Sequence, residues 1–206
     1  MRPSLLRRSI FFMALFWVWG SPGTSWTASA FSLQPESKLW LVGDSTLHPF
    51  TSQATELRLT SELDPSAFCS SPACIDGVLH KGTLKAMDVV VPVQKLKSHE
   101  SGLDKNMYKA LKADVNPEIV FHLSRYDVSP GATGSSHVKA LGSLQIAGRE
   151  QPVEIEGEVT TEDGSLRVQG QYALLMTDYG IKPPTMMMGA IRVKDRVVIH
   201  YDLQLR

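Results

Sequence analysis

After about residue 38, hydrophobic and polar residues alternate with a period of two along most of the chain, the pattern of strands with one dry and one wet face. "ATELRLTSEL" sets Leu57, Leu59 and Leu63 against Glu56, Arg58 and Glu62. "EIVFHLS" sets Ile119, Phe121 and Leu123 against His122 and Ser124, and "HVKALGSLQI" sets Val138, Ala140, Leu144 and Ile146 against Lys139, Ser143 and Gln145. "PVEIEGEV" places Val153, Ile155 and Val159 opposite Glu154, Glu156 and Glu158. "SLRVQGQYAL" and "RVVIHYDLQL" continue the rule, with Tyr172 and Tyr201 on the apolar side and His200 on the polar side. With "KLWLV" and "KAMDVVVPV" added, the pattern predicts about eight strands.

Turn chemistry separates these segments. "AGREQP" (147–152), "TEDGS" (161–165) and "KDR" (194–196) have hairpin length, which makes sequence neighbours antiparallel. "SPGATGSS" (129–136) has no Lys-Ser/Thr pair after its glycines and reads as a plain loop, not a phosphate cradle. One segment carries a helical period: Leu103, Met107 and Leu111 recur at four-residue spacing in "SGLDKNMYKALKAD". Ser101 is its expected cap, and Asn116-Pro117 ends it. A meander of about eight strands with one short helix predicts an all-β, antiparallel up-and-down barrel, because closure removes exposed sheet edges.

The first thirty residues break the pattern. Arg2, Arg7 and Arg8 precede the ten-residue apolar run "IFFMALFWVW", and "ASA" (28–30) follows at cleavage spacing. This reads as a signal peptide over 1–30, a domain over 31–206, and a periplasmic or secreted protein. Ten apolar residues are too few to cross ~30 Å of hydrocarbon, so no membrane span is expected after cleavage. Removal leaves 18 basic against 21 acidic residues, a formal charge of −3. With no basic patch, a nucleic-acid partner is not expected.

In an exported chain, Cys69 and Cys74 of "FCSSPAC" read as a short-loop disulfide. A metal pair completed by His80 is the weaker alternative, because zinc cysteines usually sit closer together and come with four ligands. "DSTLH" brings Asp44, Ser45 and His48 together, but a turn accounts for them, and neither Gly-x-Ser-x-Gly nor His-Glu-x-x-His occurs. No catalytic residue, metal ligand or cofactor is assigned.

The stretches "GDSTLHPFTS", "VVVPVQKLKS", "SGLDKNMYKALKADVNPEIVFHL", "GSLQIAGREQPVEIEGEV" and "DYGIKPPTMMMGAIRVKDRVVIHYDL" resemble the YceI-like family of exported, lipocalin-like barrels associated with polyisoprenoid binding. The resemblance runs from about Leu39 to the C-terminus. It implies an internal tunnel for a long apolar chain, such as a quinone or polyprenyl lipid, and no catalysis. The alternatives are an envelope scaffold whose barrel is filled by side chains and, third, an enzyme. A homodimer stays open.

The tunnel expectation selects residues. The helix stripe Leu103, Met107 and Leu111, with Phe121, Tyr172 and Tyr201, should converge on one cavity, the two tyrosines offering hydroxyls to a head group. If Arg192 faces water, strand parity turns Met187 and Ile191 inward and Met186 and Met188 outward, unless a bulge at Gly189 reverses it. Plain core packing of all three methionines, or a copper site lacking a nearby His, are the competing readings.

Overall fold

The computed structural model describes residues 31–64, 83–132, 134–162 and 164–206. The expected signal peptide and the Cys69/Cys74 pair lie outside the described residues.

The alternating segments form strands. They are β1 (Lys38–Ser45), β2 (Phe50–Ala54), β3 (Arg58–Leu63), β4 (Leu84–Pro92), β5 (Leu96–Lys97), β6 (Glu118–Pro130), β7 (Ser135–Ile146), β8 (Arg149–Glu162), β9 (Ser165–Leu175), β10 (Thr185–Met186) and β11 (Ile191–Leu205). The single α-helix among the described residues, α1 (Ser101–Ala110), joins β5 to β6. Every pairing is antiparallel, in the order β3-β4-β6-β7-β8-β9-β11-β1-β2-β5, with the short β10 on β11.

The two ends of this order meet. Only Thr55–Leu57 separate β2 from β3, and a single 3₁₀ turn at Val93–Lys95 separates β4 from β5. β2 pairs with β1 on one side and with β5 on the other, while β3 pairs with β4. The amide of Thr55 donates to the carbonyl of Lys95 at 2.8 Å, carrying the ladder through the break. β2–β3 therefore acts as one kinked stave and β4–β5 as another. Ten of the eleven strands make eight staves around a closed up-and-down barrel, and β10 is a short addition to β11.

Several local features follow from residue type. Ala147 and Gly148 both have positive φ (51° and 78°), the two-residue hairpin geometry whose twist suits flanking strands. β6 carries a register shift between Leu123 and Arg125, so its inward parity passes from Ile119, Phe121 and Leu123 to Tyr126 and Val128. The expected cap, Ser101, is already the first helical residue: Glu100 takes the N-cap position, and the carboxylate of Asp104 accepts from the amide of Ser98 at 2.7 Å. Tyr108 clamps the helix to the wall, its hydroxyl donating to the carbonyl of Leu96 at 2.6 Å.

Two expectations fail here. "KDR" is no connector, because β11 runs unbroken through 194–196. The residues before it are not strand either. Met187–Gly189 form a 3₁₀ turn in which Met188 (φ 53°) and Gly189 (φ 92°) are left-handed. Parity counted back from Arg192 does not survive such a turn.

Candidate functional site: a hollow apolar interior

The interior is packed at one end and partly hollow along the rest, where buried Leu144, Ile146, Leu174, Tyr179, Ile181 and Val197 form a second cluster beside the free space. At the packed end Phe31, Val159, Leu166, Leu203 and Leu205 are buried against one another. Phe31 is held there because its amide donates to Ser61 Oγ at 2.9 Å and Leu33 bridges to Leu205.

Above this plug lies a central chamber of about 160 Å³ whose wall is almost wholly apolar. Met87, Val89 and Val91 of β4, Ile119 and Phe121 of β6, and Ile199, Tyr201 and Leu203 of β11 contribute to it. A second apolar chamber of about 110 Å³ lies under α1, bordered by Leu103, Met107, Ala110 and Leu111 together with Phe50, Pro184 and Val193. Leu41, Leu96, Ile119 and Ile199 border both chambers and form the waist between them. No residue of α1 is fully buried, because its apolar stripe faces free space and not a packed core. The same holds for inward residues such as Phe121, Ile155 and Ile199, which remain only partly buried.

The expected lining residues divide accordingly. Leu103, Met107 and Leu111 border the helix-side chamber, and Phe121, Tyr172 and Tyr201 border the central one. Ile191 does not reach either chamber: it begins β11, opposite Met186, and Val193 is the first residue of that strand to line the interior. Met187 sits in the 3₁₀ turn, outside any strand, and its side chain is not among those described. Leu41, Leu96 and Phe50 line the interior without having been singled out by the sequence pattern. Leu41 lies in "KLWLV", where both faces of the strand are apolar and parity does not choose a side.

The two tyrosines differ. The Tyr201 hydroxyl is occupied by the wall, donating to the backbone carbonyl of Glu156 at 2.6 Å. Its ring lies over the paired Gly157 and Gly170, where a Cβ on Gly170 would come within 2.2 Å of that oxygen. Burial, and secondarily the Glu156 charge, push its pKa up to about 12. The Tyr201 hydroxyl is therefore not a free donor to the tunnel, which corrects the expectation. Tyr172 is raised by burial and then by Asp178, and no hydrogen bond to it appears among the described residues.

The tempting "DSTLH" cluster is a turn. Ser45 Oγ donates to the carbonyl of His48 and accepts from the amide of Leu47, while Asp44 accepts from the amide of Ser45 and pairs with Lys194. His122 and His200 lie on the outer face, His200 stacked on Trp40 with ring centres 5.2 Å apart. Among the described residues no helix is long and apolar enough to cross a membrane.

Residues 50–205 match the YceI-like domain, and the chain belongs to that family. No curated protein matches. Among solved structures, BcnA from Burkholderia cenocepacia superposes with a TM-score of 0.62 at 14% identity, covering 84% of this chain and 99% of that one. A polyisoprenoid binding domain from Saccharophagus degradans gives 0.61 at 12% identity, covering 87% and 99%. The Campylobacter jejuni YceI protein gives 0.51 at 15% identity, covering 74% and 82%. At these identities the structures share the fold.

Proposed function

We propose that this chain is an exported binding protein that holds an isoprenoid-tailed or other long apolar lipid inside its barrel. The observation that carries the reading is the hollow, almost wholly apolar interior, with partly buried Phe121, Ile155, Ile199 and the helix stripe facing free space. A closed apolar cavity of roughly 150 Å³ stays dry and takes up apolar guests. Each CH₂ that leaves water for such a site contributes about 0.8 kcal/mol. The similarly folded Saccharophagus degradans protein is a polyisoprenoid binding domain, and a chain of linked five-carbon units suits a path through both chambers. No reacting group is assigned a role, and the function needs none: the mechanism is desolvation within a shaped tunnel. The signal-peptide reading of residues 1–30 supports export.

The test is organic extraction of the purified protein followed by mass spectrometry, for wild type, Met107→Asp and the control Lys109→Gln on the outer side of the same helix. An unpaired carboxylate in the chamber costs several kcal/mol. Wild type and Lys109→Gln should carry the same apolar lipid, and folded Met107→Asp should have lost most of it. Equal lipid in all three would overturn the tunnel as the binding site.

A further inference from the structure

The barrel wall has a lateral split. β8 extends back to Arg149 and β9 forward to Leu175, yet their ladder stops at the Gly157–Gly170 pair. Over the same stretches each strand keeps its other neighbour: β7 stays paired down to Arg149, and β11 stays paired to Leu175. Pro152 falls in the released part of β8, and proline suits a strand with one unpaired edge. The bond from Tyr201 to the Glu156 carbonyl braces the point where the two strands part.

The gap holds a cleft of about 430 Å³. Gln151 and Val153 line it from β8, Tyr172 and Leu174 from β9, and Asp178 and Arg196 lie alongside. Unlike the chambers, it is polar. Tyr172 borders both the cleft and the central chamber, and Leu174 borders both the cleft and the helix-side chamber. The side of the barrel is thus the place where a polar site adjoins the apolar tunnel.

We infer that this cleft is the head-group subsite of the tunnel, taking a neutral head group with hydrogen-bond-accepting oxygens while the tail passes Tyr172 into the central chamber. The inference rests on the lipid-binding reading above. The Tyr172 hydroxyl is a donor with no partner among the described residues, set where the cleft meets the central chamber. Arg196 supplies further donors. The Gln151 amide is already committed to the carbonyl of Asp178 at 3.0 Å. Arg196 and Asp178 line the same cleft and bring one charge of each sign, so a doubly charged diphosphate gains no net attraction there and meets the Asp178 carboxylate as a like charge. A carbonyl-bearing ring meets donors and no such repulsion.

The experiment uses delipidated full-length processed protein and three probes with the same two-isoprene tail: a benzoquinone, a diphosphate and the bare hydrocarbon. Affinities are measured for wild type, Tyr172→Phe and Asp178→Asn. Tyr172→Phe should weaken the quinone about threefold to tenfold, the worth of one neutral hydrogen bond, and leave the hydrocarbon within about twofold of wild type. Asp178→Asn should tighten the diphosphate and leave the hydrocarbon unchanged. If the hydrocarbon binds wild type but Tyr172→Phe shifts all probes equally or none, the subsite is wrong and the tunnel stands. If no probe binds wild type, the lipid reading falls and the subsite with it.

Discussion

The plugged end of the barrel and its hollow body are built from the same alternating strands, yet they use their inward side chains differently. At the plug, Leu166 is 2% exposed and Val159 is 3% exposed, and they meet Phe31, Leu203 and Leu205 across the axis. In the body of the barrel, Ile199 and Phe121 point inward and border free volume. At about eight staves the interior is just wide enough for side chains to fill or for one small ligand to occupy. The difference lies in what is brought to the axis: the N-terminal Phe31 and Leu33 fill one end, while at the other α1 and the buried Ile146, Leu174 and Val197 enclose a chamber without filling it. A core is therefore a meeting of side chains, and inward parity alone does not make one.

Truncation should expose this difference most strongly. Leu166→Ala at the plug should cost about 2–5 kcal/mol, since it leaves a cavity among close-packed neighbours. Ile199→Ala in the body should cost less than half as much in the lipid-free protein, because that side chain already borders a void. Urea unfolding of the two variants checks the contrast, and equal losses would mean that the body is packed.

Alkaline pH should act through two tyrosines: Tyr201, where β8 and β9 part, and Tyr179, buried in the 3₁₀ turn after β9 beside the cleft. Tyr179 and Tyr201 both titrate at about 12 in the folded chain, raised mainly by burial, against an ordinary value of 10.0. The neutral form is the one the fold favours, so this contribution is fully present below pH ~10 and is lost as pH rises towards about 12. Denaturant midpoints should fall over that window, and Tyr201→Phe should reduce the fall.

At neutral pH Tyr201→Phe should itself cost about 1 kcal/mol, for the hydrogen bond to Glu156. Amide exchange along Gly157 and Gly170 should quicken in this variant more than at Val159 and Leu166, which belong to the plug.

The smallest effect is expected on the outer face near the plug, at Asp202. Arg167 and then Gln169 hydrogen-bond its carboxylate and hold its pKa below the usual carboxylate range. Its contribution is present above the ordinary value of 3.8 and is lost as pH falls through the lower folded value. Asp202→Asn should shift stability by less than about 1 kcal/mol at pH 7, and should flatten the acid limb of a urea-midpoint series.

Much of this architecture is legible in the sequence alone. Period-two alternation locates six of the eight staves over most of their length, the hairpin expected within 147–152 forms although only Ala147 and Gly148 turn and Arg149–Pro152 already belong to β8, and the four-residue spacing of Leu103, Met107 and Leu111 names the helix face that lines a chamber. These are local properties, because backbone geometry ties a side chain's direction to its place in the period. Parity fails where the backbone leaves its period. Met188 and Gly189 turn left-handed, so Met187 is not a strand residue and Ile191 does not reach the tunnel. Three matters rest on contacts between segments far apart in sequence. The closure of the barrel by the kinked β2–β3 stave, the free space left between inward side chains, and the parting of β8 from β9 beside Tyr172 all depend on how strands meet around a ring. A sequence states which way each side chain points; only the closed sheet decides what, if anything, it meets there.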